Sequence, residues 1–278
     1  MINFTKLQGN GNDFIIIDEY NDKIIDDRAD FAIKYCDRRF GIGADGVLFF
    51  EKSNRADIKM RIFNSDGTEA EMCGNGVRCL VKYAIDKGYI KDKANVETLA
   101  GVIPISLRGE DKTWITVNMG KPQFERPRIP AKGSGEFLNF ALHGYEVSAV
   151  NTGVPHAVVF VDSLDDPELM AVAPKIRFDP IFPKGSNVNF VQINHRNEIT
   201  IRTYERGVEG ETLSCGTGSV ACAAIAHRLG KTGNKVKVNT KGGELRIILT
   251  DDAAYMEGSA QRVFEGTIEN SIEFAGSM

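Results

Sequence analysis

No stretch of this sequence stays apolar for long enough to cross a bilayer. Runs such as Ala157–Val161 and Ala221–Ala226 fall far short of the roughly 18–20 residues that a spanning helix needs. An excess of charge is also missing. The 34 lysines and arginines nearly balance 38 aspartates and glutamates, for a net charge of −4, so there is no basic field to hold a nucleic-acid backbone or an anionic membrane. The chain opens Met1-Ile2-Asn3-Phe4-Thr5-Lys6, without a cationic segment leading into an apolar one, and a cytoplasmic location is expected. Cysteine is sparse, and its odd number (Cys36, Cys73, Cys79, Cys215 and Cys222) argues for free thiols in a reducing compartment rather than a disulfide framework. The histidines His143, His156, His195 and His227 are scattered, and no two cysteines have the spacing of a zinc knuckle, so no metal site is expected. What remains is 278 residues, 42% hydrophobic and 26% charged, which is the composition of a soluble globular chain with one large domain or two ordinary ones.

The chain repeats itself. Gly9–Asp18 (GNGNDFIIID) aligns without a gap on Gly153–Asp162 (GVPHAVVFVD), each a glycine-led loop running into an apolar strand. Asp57–Asn64 matches Glu198–Glu205 in alternation, Cys73-Gly74-Asn75-Gly76 matches Cys215-Gly216-Thr217-Gly218, and Thr98–Leu107 matches Thr240–Leu249. The order is the same and the offset stays between 141 and 144, which predicts two similar domains of about 140 residues each. Gly120–Gly144 carries Pro122, Pro127, Pro130, Gly133 and Gly135 and reads as an irregular connection, so the domains are placed at 1–119 and 120–262. Short alternating strands such as Trp114–Met119 and Gly243–Leu249 dominate. Helices are expected only at Asp27–Arg38, Pro167–Ala173 and after each Cys-Gly-x-Gly, an α+β pattern.

The paired cysteines carry the functional argument. Val77–Lys87 puts Val77, Leu80, Val81, Ala84 and Ile85 on one helical face, and Ser219–Leu229 is nearly apolar all round, so both helices are expected to be buried. The first turn of a helix leaves backbone N–H groups without partners and carries partial positive charge. Glycines there let a ligand approach closely. A cysteine at such an end has its thiolate stabilised, which makes Cys73 and Cys215 candidate acid/base groups. Cys36, Cys79 and Cys222 read as small buried hydrophobes. An acid and a base on two similar domains suit a nearly symmetric reaction, in which a proton leaves one face of a carbon and another returns to the opposite face. That is racemisation or epimerisation, and the helix amides would stabilise charge spreading onto the substrate carboxylate.

Asn64-x-Asp66-Gly67-Thr68 followed by Cys73-Gly74-Asn75-Gly76-x-Arg78 resembles the signature of the diaminopimelate epimerase family. The resemblance spans the chain through Gly11-Asn12-Asp13-Phe14, Gly41-Ile42-Gly43-Ala44-Asp45, Gly153-x-Pro155-His156, Asn187, Tyr204-Glu205-Arg206-Gly207 and Cys215-Gly216-Thr217-Gly218. It implies a cofactor-free enzyme interconverting LL- and meso-diaminopimelate on the route to lysine and cell-wall precursors. It also implies a homodimer whose two domains each wrap a mixed or antiparallel sheet around a central helix, with the site in the cleft and the last strand, near Val263–Phe274, returning to the first domain. On this resemblance Cys73 and Cys215 are the acid/base residues and His156 and Glu205 tune them. Gly74, Asn75, Gly216 and Thr217 offer donors to the reacting carboxylate, while Asn12, Asn64, Asn187, Glu205 and Arg206 hold the rest of the substrate. A guanidinium such as Arg206 suits a carboxylate through two parallel hydrogen bonds.

Some members of that family place Gln where this chain has Gly46 and Asn where it has Val154. The second change removes an amide expected near the distal end of the substrate. Another cofactor-independent amino-acid racemase, for example one acting on histidine, is the alternative enzyme, and a non-catalytic amino-acid binder is the alternative of a different class. Gly41–Gly46 satisfies the G-x-G-x-x-G dinucleotide fingerprint, but a strand follows it rather than a helix, so nicotinamide binding is not expected. Pyridoxal phosphate would make one lysine the reactive centre and leave the symmetry of the cysteines unexplained.

Overall fold

The computed structural model describes residues 1–108 and 114–269. The chain divides into two compact units, one formed by Met1–Ser106 with the segment that begins at Ala260, the other by Leu107–Ser259. In the first unit the elements are β1 (Ile2–Gly9), β2 (Asn12–Glu19), α1 (Arg28–Cys36), β3 (Gly46–Glu51), β4 (Ile58–Asn64), β5 (Glu69–Ala70), α2 (Gly74–Asp86), β6 (Lys93–Thr98) and β7 (Gly101–Arg108). The second holds β8 (Trp114–Asn118), β9 (Phe137–Leu142), β10 (Tyr145–Asn151), β11 (Pro155–Phe160), α3 (Glu168–Arg177), β12 (Asn187–His195), β13 (Glu198–Glu205), β14 (Gly210–Thr212), α4 (Gly216–Arg228), β15 (Lys235–Thr240), β16 (Gly243–Leu249) and β17 (Ala254–Ser259). The strand β18 (Gln261–Ile268) pairs antiparallel with β1 of the first unit. The sequence expectation for a returning strand extended to residue 274, and positions 270–274 lie outside the described residues.

The strand pairings of one unit recur in the other. β2 runs parallel to β3 as β11 does to β12, and β3–β4 is antiparallel as is β12–β13. Likewise β4–β6 and β13–β15 are parallel, and each leads into an antiparallel hairpin. The fold is therefore α+β and duplicated. A parallel pair needs a crossover, and α1 and α3 supply it between the equivalent strands. Each sheet curls around one helix. α2 packs against β1–β4 and β18, and α4 against β10–β13 and β15–β17. In α4 the residues from Ser219 to Ala226 are all buried, which explains why its sequence has no polar face.

Three sequence expectations shift. The division falls at residue 106 rather than near 120, because Trp114–Asn118 pairs antiparallel with Tyr255–Ser259 and so joins the second sheet. The proline- and glycine-bearing stretch 120–144 is part of the same unit, since β9 within it pairs with β10 and its Phe137 is fully buried. The third helix runs through Pro174 to Arg177 instead of stopping at Ala173, and the buried Ile176 holds its last turn against the core. A proline inside a helix removes one donor and crowds the carbonyl four residues back, a cost that packing of the last turn offsets here.

Gly41–Gly46 folds back onto the C-terminal end of α1. The amides of Ile42 and Gly43 bond to the Tyr35 carbonyl and that of Ala44 to Cys36. A Cβ on Gly41 would stand 2.6, 2.7 and 2.9 Å from the carbonyl oxygens of Lys34, Tyr35 and Asp37. These glycines serve close backbone packing rather than phosphate binding. Replacing Gly41 with Ala is expected to lower stability by about 1–3 kcal/mol, the usual cost of overpacking, and urea unfolding of the two proteins checks it.

Candidate active site

Both helices that the sheets enclose begin on a cysteine. Cys73 is the N-cap of α2 and Cys215 the N-cap of α4, each in extended backbone conformation (φ −140° and −122°). Their sulfurs take the place of the usual Ser, Thr, Asp or Asn oxygen. Cys73 Sγ accepts from the Gly76 amide at 3.5 Å, and Cys215 Sγ from the Gly218 amide at 3.4 Å. Gly74 and Asn75 in one unit, and Gly216 and Thr217 in the other, occupy the first helical turn, where amides have no partner within the helix. Each unit thus presents a sulfur beside donors at the positive end of a buried helix, suited to stabilise an anion.

Around Cys73 the contacts run through amides. The thiol donates to Asn12 Oδ1 at 3.6 Å, and Asn75 Nδ2 donates to the same oxygen at 3.3 Å. Asn12 Nδ2 in turn donates to Asp45 Oδ2 at 2.6 Å. Asp45 and Asp13 share Arg38, and Lys6 pairs with Asp13 at 2.8 Å. Burial raises the proton affinity of Asp13, but Arg38 and Lys6 outweigh it and hold its carboxyl down at about 2. Asn75 Oδ1 is buried without a hydrogen-bond partner, an open acceptor next to the first sulfur. Arg78 lies one turn further along α2, fully buried, and donates to Asn10 Oδ1 at 2.6 Å.

Around Cys215 the contacts run through hydroxyl and imidazole. Thr217 Oγ1 lies 3.4 Å from Cys215 Sγ and 3.0 Å from His156 Nε2. His156 is fully buried, and its Nδ1 faces Asn189 Nδ2 at 3.0 Å. Burial, with the nearby Arg206 charge, drives the imidazole down to about 3 despite the Asn189 contact, so it is neutral at physiological pH. The Thr217 carbonyl accepts from Thr152 Oγ1 at 2.9 Å, which fixes the turn.

The other expected residues sit further back. Asn64 ends β4 in a tight turn, its Nδ2 bonded to Thr68 Oγ1 at 3.0 Å, and the next residue's amide bonds to the Asp45 carbonyl. Asn187 spends its side chain on the backbone: Nδ2 donates to the Pro155 carbonyl at 3.0 Å, and Oδ1 accepts from the Arg206 amide at 2.8 Å. It therefore places Arg206, whose Nη1 also bonds to the Lys184 carbonyl at 3.2 Å. Glu205 is half-buried at the end of β13, beside Arg206. At Gly46 a Cβ would approach the Phe63 carbonyl oxygen to 2.7 Å, so this backbone leaves no room for a glutamine there.

The remaining thiols differ in kind. Burial pushes Cys36 and Cys79 up to about 12 and Cys222 well above its ordinary value, which keeps all three protonated. Among the described residues no group of three or more His, Cys, Asp or Glu side chains converges as a metal site, and no helix is long and apolar enough to cross a membrane. Sequence reasoning passed over Asn189 and Asp45. Asn189 shares a strand face with Asn187 at a spacing of two, a signal that period-two reading could have used. Asp45 stands in a motif of the family resemblance, but nothing in that motif assigns it a role.

Because His156 stays neutral in the folded protein but takes a proton at about 6.5 once unfolded, the unfolded state binds more protons between those values. Stability should therefore fall as pH drops from about 6.5 toward 3, at up to about 1.4 kcal/mol per pH unit from this group. NMR titration of labelled histidine should show the His156 ring without a protonation step above pH 5, and a step near 6.5 would contradict the burial.

A family model described as diaminopimelate epimerase matches residues 4–125 and 148–263. A diaminopimelate epimerase of Methanocella arvoryzae is 58% identical over 272 residues, covering 96% of this chain and 97% of that protein. One of Methanothrix thermoacetophila is 57% identical over 274 residues, covering 98% and 97%. Among solved structures, a PhzF-family phenazine biosynthesis protein of Bacillus anthracis superposes with a TM-score of 0.71 at 18% identity, covering 96% of this chain and 99% of that one. A probable proline racemase from Agrobacterium radiobacter superposes at 0.69 with 16% identity, covering 99% and 95%. These last two share the fold. The helix-capping cysteines, the duplicated sheets and the matches along nearly the whole sequence place this chain in the diaminopimelate epimerase family.

Proposed function

We propose that this protein is an isomerase that interconverts LL- and meso-2,6-diaminopimelate without a cofactor, by two-base proton transfer at the α-carbon. The reading is carried by one observation: equivalent helices in two equivalent units each begin on a cysteine whose sulfur accepts a backbone amide hydrogen bond. One sulfur, as thiolate, removes the α-proton. The other, as thiol, delivers a proton to the opposite face, and the roles exchange in the reverse direction. Charge that develops on the substrate carboxylate meets the first-turn amides of Gly74, Asn75, Gly216 and Thr217. Asn12 and the open Asn75 Oδ1 serve the polar groups near the reacting centre. Arg206, set in place by Asn187, takes the distal carboxylate, while Glu205 and Asn64 complete the distal ammonium site. His156 tunes Cys215 through Thr217.

Such a reaction belongs to lysine and peptidoglycan precursor synthesis, and five free thiols suit the reducing cytoplasm. A homodimer fits β18, which is bonded to β1 and exposes Val263 and Phe264. The test is turnover of LL-diaminopimelate beside histidine, glutamate and proline. Only diaminopimelate should be epimerised, and racemisation of one of the others in its place would overturn the substrate assignment. Replacing Cys73 or Cys215 with Ala should reduce kcat by at least about 10²–10⁴-fold with the fold intact, and full activity in either variant would exclude the two-thiol mechanism.

A further inference from the structure

The two sulfurs share a backbone setting but not their side-chain partners, and donor and acceptor identities can be worked out along each chain of contacts. In the second unit the fixed point is a backbone carbonyl. Asn189 is fully buried, and its Nδ2 lies 3.0 Å from the Ala157 carbonyl oxygen, which can only accept. The amide must therefore turn its nitrogen to that side, and Oδ1 faces Thr203 Oγ1 at 3.0 Å. The second hydrogen on the same nitrogen points to His156 Nδ1. A nitrogen that accepts there carries no proton, so the neutral ring holds its hydrogen on Nε2 and donates it to Thr217 Oγ1. With its oxygen accepting from the imidazole, the Thr217 hydroxyl has its hydrogen free for Cys215 Sγ. Gly218 is what admits Asn189, since a Cβ there would lie 2.6 Å from Asn189 Oδ1.

The first unit has the opposite polarity. The Asp45 carboxylate accepts from Asn12 Nδ2, so Asn12 turns its oxygen to Cys73, where the only hydrogen available to the contact is that of the thiol. A donor aimed at sulfur favours the thiolate, and an acceptor favours the thiol. Charge acts unevenly on the two, since the buried Arg78 favours the thiolate of Cys73, and the hydrogen-bond polarity is inferred to outweigh it. Arg78 acts on Cys73 and Arg206 on His156, the Asp13, Asp45, Lys6 and Arg38 cluster backs Asn12, and the neighbouring thiols Cys79 and Cys222 are held protonated.

We infer that Asn189 and Asp45 are positioning residues that set opposite hydrogen-bond polarity at the two sulfurs, so that the resting enzyme carries its thiolate at Cys215 and its thiol at Cys73. Asn189 works through the His156 tautomer and the Thr217 hydroxyl; Asp45 works through the Asn12 amide. The inference deepens the two-base reading by assigning the resting base. It also makes the isomer that Cys215 deprotonates the one for which the enzyme is ready without prior proton exchange.

The test uses the whole protein without substrate, so its outcome is independent of which amino acid is turned over. Trace alkylation by iodoacetamide across pH 5–10, resolved by peptide mass spectrometry, should give Cys215 its half-maximal rate at lower pH than Cys73. Thr217→Val should slow Cys215 alkylation at pH 7 by about tenfold, within the strength of one hydrogen bond to a charged group, and Thr217→Ser should restore it. Asn189→Asp, whose carboxylate would draw the proton onto Nδ1, should mimic the Thr217→Val effect. Asn12→Ala should move Cys73 the other way, toward lower pH. In the unsubstituted protein, nitrogen NMR of labelled histidine should show His156 protonated at Nε2 alone. The Nδ1–H tautomer, a Cys73 that ionises first, or an unchanged Cys215 profile in Thr217→Val would each overturn the inference. Failure to epimerise diaminopimelate would leave these results standing and sink only the substrate assignment.

Discussion

A buried helix cannot leave its first-turn amides empty, and in this protein one of them in each unit is satisfied by a cysteine sulfur. Most of what the molecule offers chemically depends on that contact. The sheet that curls around each helix fixes the helix end, and the helix end fixes the sulfur. The glycines beside it keep the remaining amides approachable. A cap of Ser or Asp would hold the same turn but supply no group that exchanges a proton near neutral pH. The sulfur is thus a structural cap and, in the proposed reaction, a reagent, and its position is set by the core rather than by a surface loop.

Duplication explains the symmetry of the backbone, and divergence explains the difference between the sulfurs. In the aligned repeat Asn12 stands where the second unit has His156, and Asn75 where it has Thr217. Those two exchanges convert an acceptor beside one sulfur into a donor beside the other. A reaction that removes and returns a proton at one carbon needs similar geometry on two sides but unlike protonation states at any instant. In the proposed two-base reaction similar strands and caps provide the first, and unlike side chains the second. The buried Asn189 and the clustered Asp45 lie behind those side chains and orient them.

Much of this was legible in the sequence because it depends on local rules. The repeat showed in the order of glycine loops, apolar strands and Cys-Gly-x-Gly caps, and the all-apolar character of Ser219–Leu229 announced a buried helix. The unit boundary was not legible, because Trp114–Asn118 joins the second sheet through a strand more than a hundred residues away, and nothing near Gly120 encodes that pairing. Asn64 and Asn187 illustrate a second limit. Their motif does not say which of their own atoms are already engaged: in the structure Asn64 Nδ2 holds a turn and the Asn187 amide holds the Arg206 backbone. Sequence spacing shows which polar residues share a strand face but not which partner satisfies each atom, so the Asn189–His156–Thr217 chain emerged only with coordinates.

The central claim is that two different groups handle the proton on the two faces of one carbon. Isotope distribution at low conversion in D2O tests it most directly. With two thiol bases, the product epimer should carry deuterium at the inverted α-carbon from the first turnovers, while unreacted substrate keeps its protium, whichever isomer is supplied. Product that retains the substrate's own hydrogen, or substrate that exchanges as fast as product forms, would mean that one group serves both faces and would contradict the account.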